Sequence, residues 1–124
     1  EWEKAARGTE GHMFSWGNDE ANCDRAVMAT CVDDAQPVGS LDAGKSTYGA
    51  MDMTGNVWEW VQDWYNPTYY NDSPMTNPTG PEAGTKRVLR GGAFVSDPFN
   101  LRTSKRNSFQ PETRYHYFGF RCAQ

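Results

Sequence analysis

Asp52, Gly55, Val57 and Glu59 fall within one short stretch of the chain. Together they offer two carboxylates and two backbone carbonyls to a single hard cation. Calcium takes several oxygen ligands of this mixed kind and tolerates irregular loop geometry. The same residues also have a plainer use, in which Asp52 caps a turn and Glu59 pairs with an arginine. Soft ligands are scarcer. Cys23 and Cys31 are eight residues apart across a polar loop, a spacing that permits a disulfide in an oxidising compartment. Cys122 stands in an apolar run, where a buried free thiol is expected. There is no CxxC pair, which argues against a zinc ribbon. His12 and His116 do not form the histidine-rich facial set that a non-haem iron needs, and no Ser/His/Asp spacing or phosphate loop stands out.

A second group of residues suggests binding rather than bond-making. Val95, Ser96, Asp97, Phe99, Asn100, Phe109, Tyr115, His116 and Tyr117 show no sustained period of two or 3.6, so they are poor candidates for one core face. They lie between segments that do read as core: Val88-Leu89, Leu101 and Phe118-Gly119-Phe120. Aromatic and short polar side chains on loops held by a rigid scaffold make adaptable contact surfaces, here for a protein or small-molecule ligand.

The elements that must position these groups are short. A chain of 124 residues is one domain by size. Aromatics make up 14% of it, enough for a core, while 12 Gly and 7 Pro spread through the chain predict long loops. The expectation is an α+β fold with little regular structure. Residues 1–7 read as a helix with Trp2, Ala5 and Ala6 on one face and Gly8 as its stop. No capping residue precedes Glu1, so further sequence is expected upstream. Residues 9–47 read mostly as loop, with Val38 in a short strand. Val57 to Tyr65 reads as a strand carrying Trp58, Trp60 and Trp64 on one face. Residues 66–85 are rich in turn formers. Strands are expected at 87–92, at Leu101 to Arg106 and at Phe118 to Ala123.

Charge is distributed unevenly. Residues 1–85 carry 4 basic and 14 acidic residues, whereas residues 86–124 carry 8 basic and 2 acidic. The expectation is that the two parts neutralise one another across the core. Several of the arginines sit in strand-like apolar segments rather than in a basic run, so no nucleic-acid partner is expected. No run of 18 apolar residues exists, so this segment inserts in no membrane as a helix.

Three segments carry a resemblance. They are Glu1-Trp2-Glu3-Lys4-Ala5-Ala6-Arg7-Gly8 with Phe14-Ser15-Trp16-Gly17; Tyr48-Gly49-Ala50-Met51-Asp52-Met53-Thr54-Gly55-Asn56-Val57-Trp58-Glu59-Trp60; and Arg87-Val88-Leu89-Arg90-Gly91-Gly92 with Gly119-Phe120-Arg121-Cys122-Ala123. In order and spacing they resemble the formylglycine-generating enzyme and sulfatase-modifying factor family. The likeness covers residues 1–124 and corresponds to the C-terminal portion of a family domain, which implies a C-type-lectin-like fold. It implies calcium at Asp52, Gly55, Val57 and Glu59, and a second calcium near Asn22 and the carbonyl of Cys23. Active members oxidise a substrate cysteine with two copper-binding thiols just after the Gly-Gly pair. Here Ser96 stands at the first of those positions and Asn100 or Leu101 at the second, so copper is not expected.

The layout also resembles the variable proteins of diversity-generating retroelements, in which adenine mutagenesis of Asn codons cannot produce Lys, Glu, Gln, Trp or Met. Val95, Ser96, Asp97, Phe99, Asn100, Asn107, Ser108, Phe109, Tyr115, His116 and Tyr117 obey that restriction. The sequence therefore reads as a non-catalytic, calcium-stabilised binding module that is exported to the periplasm, cell surface or exterior. Two rivals stand beside it. One is an oxidoreductase of the same family, formylglycine-generating or iron-dependent, with its catalytic groups further upstream. The other is an accessory structural subunit of a larger assembly.

Overall fold

Helix α1 spans Trp2–Arg7 in the computed structural model, which describes residues 1–122. Its apolar face turns inward, with Ala6 fully buried. Gly8 ends it at φ 65°, its N–H donating to the Lys4 carbonyl at 3.0 Å. A left-handed residue at this place is the usual glycine stop.

Strand β1 covers Trp58–Trp64, helix α2 Tyr69–Asp72, β2 Arg87–Arg90, β3 Asn107–Phe109 and β4 Phe118–Gly119; a 3₁₀ turn occupies Asp42–Gly44. The four strands form one sheet in the order β3-β2-β1-β4. β1 and β2 are antiparallel, with Glu59 opposite Arg90 and Trp60 opposite Leu89. β2 and β3 are antiparallel, and β4 runs parallel to β1. Trp58 and Trp60 share a face, but the register slips between Trp60 and Trp64. Trp64 instead lies beneath the Arg87 guanidinium, 3.5 Å from its ring centroid.

Two small cores flank the sheet. Trp58, Leu89 and Ala93 form one, with Trp60, Phe109, Tyr117 and Phe118 packed around it. Phe14, Ala26, Met28 and Leu101 form the other beneath the loops. Asn56 joins the loops to the sheet. Its N–H donates to Val27 O at 2.9 Å, its carbonyl accepts from Phe94 N–H at 2.8 Å, and its amide pairs with the Gln36 backbone at 3.0 and 3.1 Å. Such bonds replace the ladder bonds that a loop lacks.

Several sequence expectations shift. Val38 lies in an exposed turn, not a strand. Residues 101–106 are turns, because Thr103 N–H and Oγ1 bond the carbonyls of Met13 and His12 and Lys105 N–H folds back on Arg102; the strand begins at Asn107. The last strand stops at Gly119, and Ala123 lies outside the described residues. Residues 66–85 contain the single helical turn α2. Cys122 is exposed rather than buried, since the chain has left the sheet. Cys23 and Cys31 are disulfide-bonded, with their Cα atoms 5.4 Å apart.

Gly55 has φ 93°, and a Cβ there would stand 2.5 Å from the Val27 carbonyl oxygen. Gly55→Ala should therefore cost about 2 kcal/mol or more, measured as a lowered urea midpoint. An unchanged midpoint would contradict the close approach of these two loops.

Candidate functional site

Asp52, Gly55 and Val57 lie in the turn before β1 and Glu59 within that strand, where it is already occupied. Its side chain is buried in β1 and accepts Trp2 Nε1 at 2.6 Å from α1. Arg121 grips it from beyond β4, with Nε at 2.9 and 2.8 Å from the two carboxylate oxygens and a terminal nitrogen at 2.6 Å from Oε1. Three N–H groups, one of them shared between both oxygens, hold the carboxylate. The hydrogen bond to Glu59 raises the Arg121 pKa above its ordinary value; burial works against this, and the charges of Glu59 and Asp52 support it. Asp52, at φ 56°, accepts the Gly39 N–H at 2.7 Å. As arranged, both Glu59 oxygens are engaged by Trp2 and Arg121. In the second set, the Asn22 carbonyl accepts from Arg25 and Ala26 N–H and its Oδ1 from Asp24 N–H, while Cys23 is in the disulfide.

A second charged group holds α1 on the sheet. Arg90 is buried and donates to Glu3 at 2.6 Å and to the carbonyls of Thr103 and Lys105 at 3.1 and 3.2 Å. Burial raises the Glu3 pKa, but the Arg90 charge and hydrogen bonds from Arg7 and Arg90 outweigh it, so the net value is lowered.

The loop set divides into an outer and an inner part. Val95, Asp97, Phe99, Tyr115 and His116 are exposed, and Asn100 is half-buried. Arg102 and Lys105 stand over the Phe99 ring, 3.9 and 5.1 Å from its centroid. Tyr115 stacks on Tyr117 with centroids 5.0 Å apart. Phe109 and Tyr117 pack against the Trp58 core, so they support the surface more than they form it. Ser96 is buried, its Oγ accepting Ala93 N–H at 3.0 Å. That bond fixes the turn after Gly92 and leaves Ser96 off the outer face. Leu101, the other candidate thiol position beside Asn100, is wholly buried.

Trp2, Arg121 and the pair Arg102 and Lys105 were not singled out by sequence reasoning. Trp2 and Arg121 lie inside the segments that carried the resemblance, but their partners are 57 and 62 residues away. Nothing local marks such pairs.

The short-stranded α+β arrangement, with long loops tied to a small sheet, is a C-type-lectin-like fold of the formylglycine-generating-enzyme type. Residues 1–124 match the sulfatase-modifying factor enzyme 1-like domain, and the chain belongs to that family. It is 36% identical to the formylglycine-generating enzyme of Streptomyces coelicolor, covering 99% of this chain and 44% of that one. It is also 36% identical to the hercynine oxygenase of Mycolicibacterium smegmatis, covering 99% of this chain and 31% of that one. Among solved structures, Treponema denticola variable protein 1 aligns with a TM-score of 0.86 and 31% identity, covering 97% of this chain and 43% of that one. The chain thus spans less than half the length of these relatives. No helix among the described residues is long and apolar enough to cross a membrane.

The lowered Glu3 pKa gives a pH signature. A depressed carboxylate adds stability above its unfolded value, which is lost as pH falls through the folded value. The stability gap between wild type and Glu3→Gln should be constant at neutral pH and shrink below pH 4.5. A gap that stays unchanged through that acid range in denaturant titrations would contradict the Glu3–Arg90 pairing.

Proposed function

We propose that this chain is a non-catalytic binding module of the sulfatase-modifying factor family, with its ligand, a protein or small molecule, held on the C-terminal loops. One observation carries the reading. The positions that the family resemblance assigns to copper thiols hold Ser96, whose hydroxyl accepts a backbone N–H inside the fold, and buried Leu101 or the adjacent Asn100. A hydroxyl, an amide and an aliphatic chain supply no thiolate for copper(I). The surface residues are Val95, Asp97, Phe99, Asn100, Tyr115 and His116, on a base that includes Ser96, Phe109 and Tyr117. The likeness to a variable protein, a name that fits changeable surface residues on a constant framework, supports this. The disulfide between Cys23 and Cys31 supports export to an oxidising compartment.

The oxidoreductase alternative draws on the enzyme relatives, and one assay tests whether this chain itself forms formylglycine. Copper-loaded protein incubated with a sulfatase-derived cysteine peptide should leave the peptide mass unchanged; formation of the aldehyde would overturn the non-catalytic reading. The binding half is tested by Tyr115→Ala, which should abolish capture of the partner found by pull-down while costing only about 1 kcal/mol of stability for its lost contacts with Phe109, Tyr117 and Phe118. Capture by the variant equal to wild type would remove Tyr115 from the surface.

Calcium stabilisation belongs to the same proposal, under one condition set by the geometry. An ion at Asp52, Gly55, Val57 and Glu59 must displace the Arg121 guanidinium, whose side chain is 35% exposed. Added calcium should raise the melting temperature of the wild type and not of Asp52→Ala, since a ligand bound only by the folded state stabilises it. Equal melting of both proteins, with calcium or with a chelator, would leave the Glu59–Arg121 pair as the sole occupant.

A further inference from the structure

The cations of the C-terminal part are mostly left without anions. Of the eight basic residues in 86–124, Arg90 pairs with Glu3 and Arg121 with Glu59. No other ion pair among the described residues uses a cation from this part of the chain. The two charged parts therefore neutralise each other only in the core, and the loop face keeps its positive charge.

Part of that charge is organised around an aromatic ring. Phe99 is 57% exposed. Arg102 and Lys105 lie over it, and Arg102 Nε also donates to the Phe99 carbonyl at 3.1 Å. Their charged heads rest against the ring face and have no carboxylate partner among the described residues. Asp97, the acid of this loop, has its Oδ1 taken by the Asn100 backbone and side-chain amides at 3.0 and 2.9 Å. Val95 adds an exposed aliphatic group on the other side of Ser96.

From this geometry we infer that the loop surface takes an acidic polypeptide segment bearing an aromatic or large aliphatic side chain, an inference that rests on reading these loops as the binding face. Carboxylates supply the charge that Arg102 and Lys105 lack, and the apolar side chain covers Phe99 and Val95. The two cations are ordered before binding, so less side-chain freedom is lost when they are engaged. A short acidic segment meets only this patch. A nucleic-acid strand, by contrast, carries its charge along its whole length past a chain of net charge −4 whose other 85 residues hold 14 acids.

The test uses the whole chain and three labelled probes in fluorescence anisotropy: a random Glu/Tyr copolymer, poly-glutamate and single-stranded oligothymidine. The copolymer should bind, poly-glutamate should bind roughly tenfold more weakly, and oligothymidine should not compete. Arg102→Gln/Lys105→Gln should weaken copolymer binding roughly tenfold with an unchanged melting temperature. Lys105→Gln alone, which leaves the Arg102 bond to the loop intact, should weaken it in the same direction. Added salt should weaken it as well, because these charges are exposed. Absence of copolymer binding, equal binding by the double variant, equal binding of poly-glutamate, or tighter binding of oligothymidine would each overturn the inference. If the double variant retains a pull-down partner that Tyr115→Ala loses, the binding-module reading stands and the acidic-segment inference alone falls.

Discussion

The carboxylate of Glu59 is removed almost wholly from water, and the chain is arranged around the need to satisfy it. An uncompensated buried charge costs several kcal/mol. Here the compensation comes from both ends of the sequence, through Trp2 in α1 and Arg121 beyond β4. Arg121 also donates to the Met51 carbonyl at 2.8 Å, which fixes the turn that leads into β1. One charge thus fastens the first helix, the central strand, its entry turn and the last described residues. The sheet alone could not do this, since β4 has only two residues, Phe118 and Gly119.

The rest of the framework repeats the same device. Arg90 ties α1 to the turn at Thr103 and Lys105, and Thr103 ties that turn to His12 and Met13. Asn56 does the equivalent for the loops at Val27, Gln36 and Phe94. In each case a buried polar side chain or backbone group holds a loop end, while Val95 and Phe99 stay exposed. Val95 and Phe99 contribute contact surface without carrying the fold, whereas Ser96, Phe109 and Tyr117 carry part of it. Tyr115 does both, its ring exposed on one side and packed on Phe109, Tyr117 and Phe118 on the other. A binding face can change its outer residues on such a scaffold at small cost to stability.

Local pattern made parts of this arrangement readable and missed others for physical reasons. The helix at Trp2–Arg7 and the strand at Trp58–Trp64 carry their own signals, an apolar face with a glycine stop and a run of β-forming aromatics. The expected strand at 101–106 failed because Thr103 bonds across to residues 91 and 90 positions away, a tertiary preference that overrides local propensity. The buried thiol expected at Cys122 failed because the apolar run around it outlasts the strand by several residues. For the carboxylate pair at Asp52 and Glu59, oxygen ligands for calcium and a partner for arginine look alike in sequence. In the structure Arg121, 62 residues further on, is the partner of Glu59.

The separation between a framework pinned at Glu59 and an outer loop surface is tested most directly by a double-mutant cycle on unfolding free energy, using Glu59→Gln and Arg121→Gln, with Phe99→Ala and Val95→Ser measured alongside. The Glu59–Arg121 coupling should be about 2 kcal/mol, below that of a fully buried pair because Arg121 is about a third exposed. The two loop variants should each stay within about 0.5 kcal/mol of wild type. A coupling near zero, or loop variants that cost as much as the loss of Glu59, would show that the fold is held elsewhere and that the loops are part of its core.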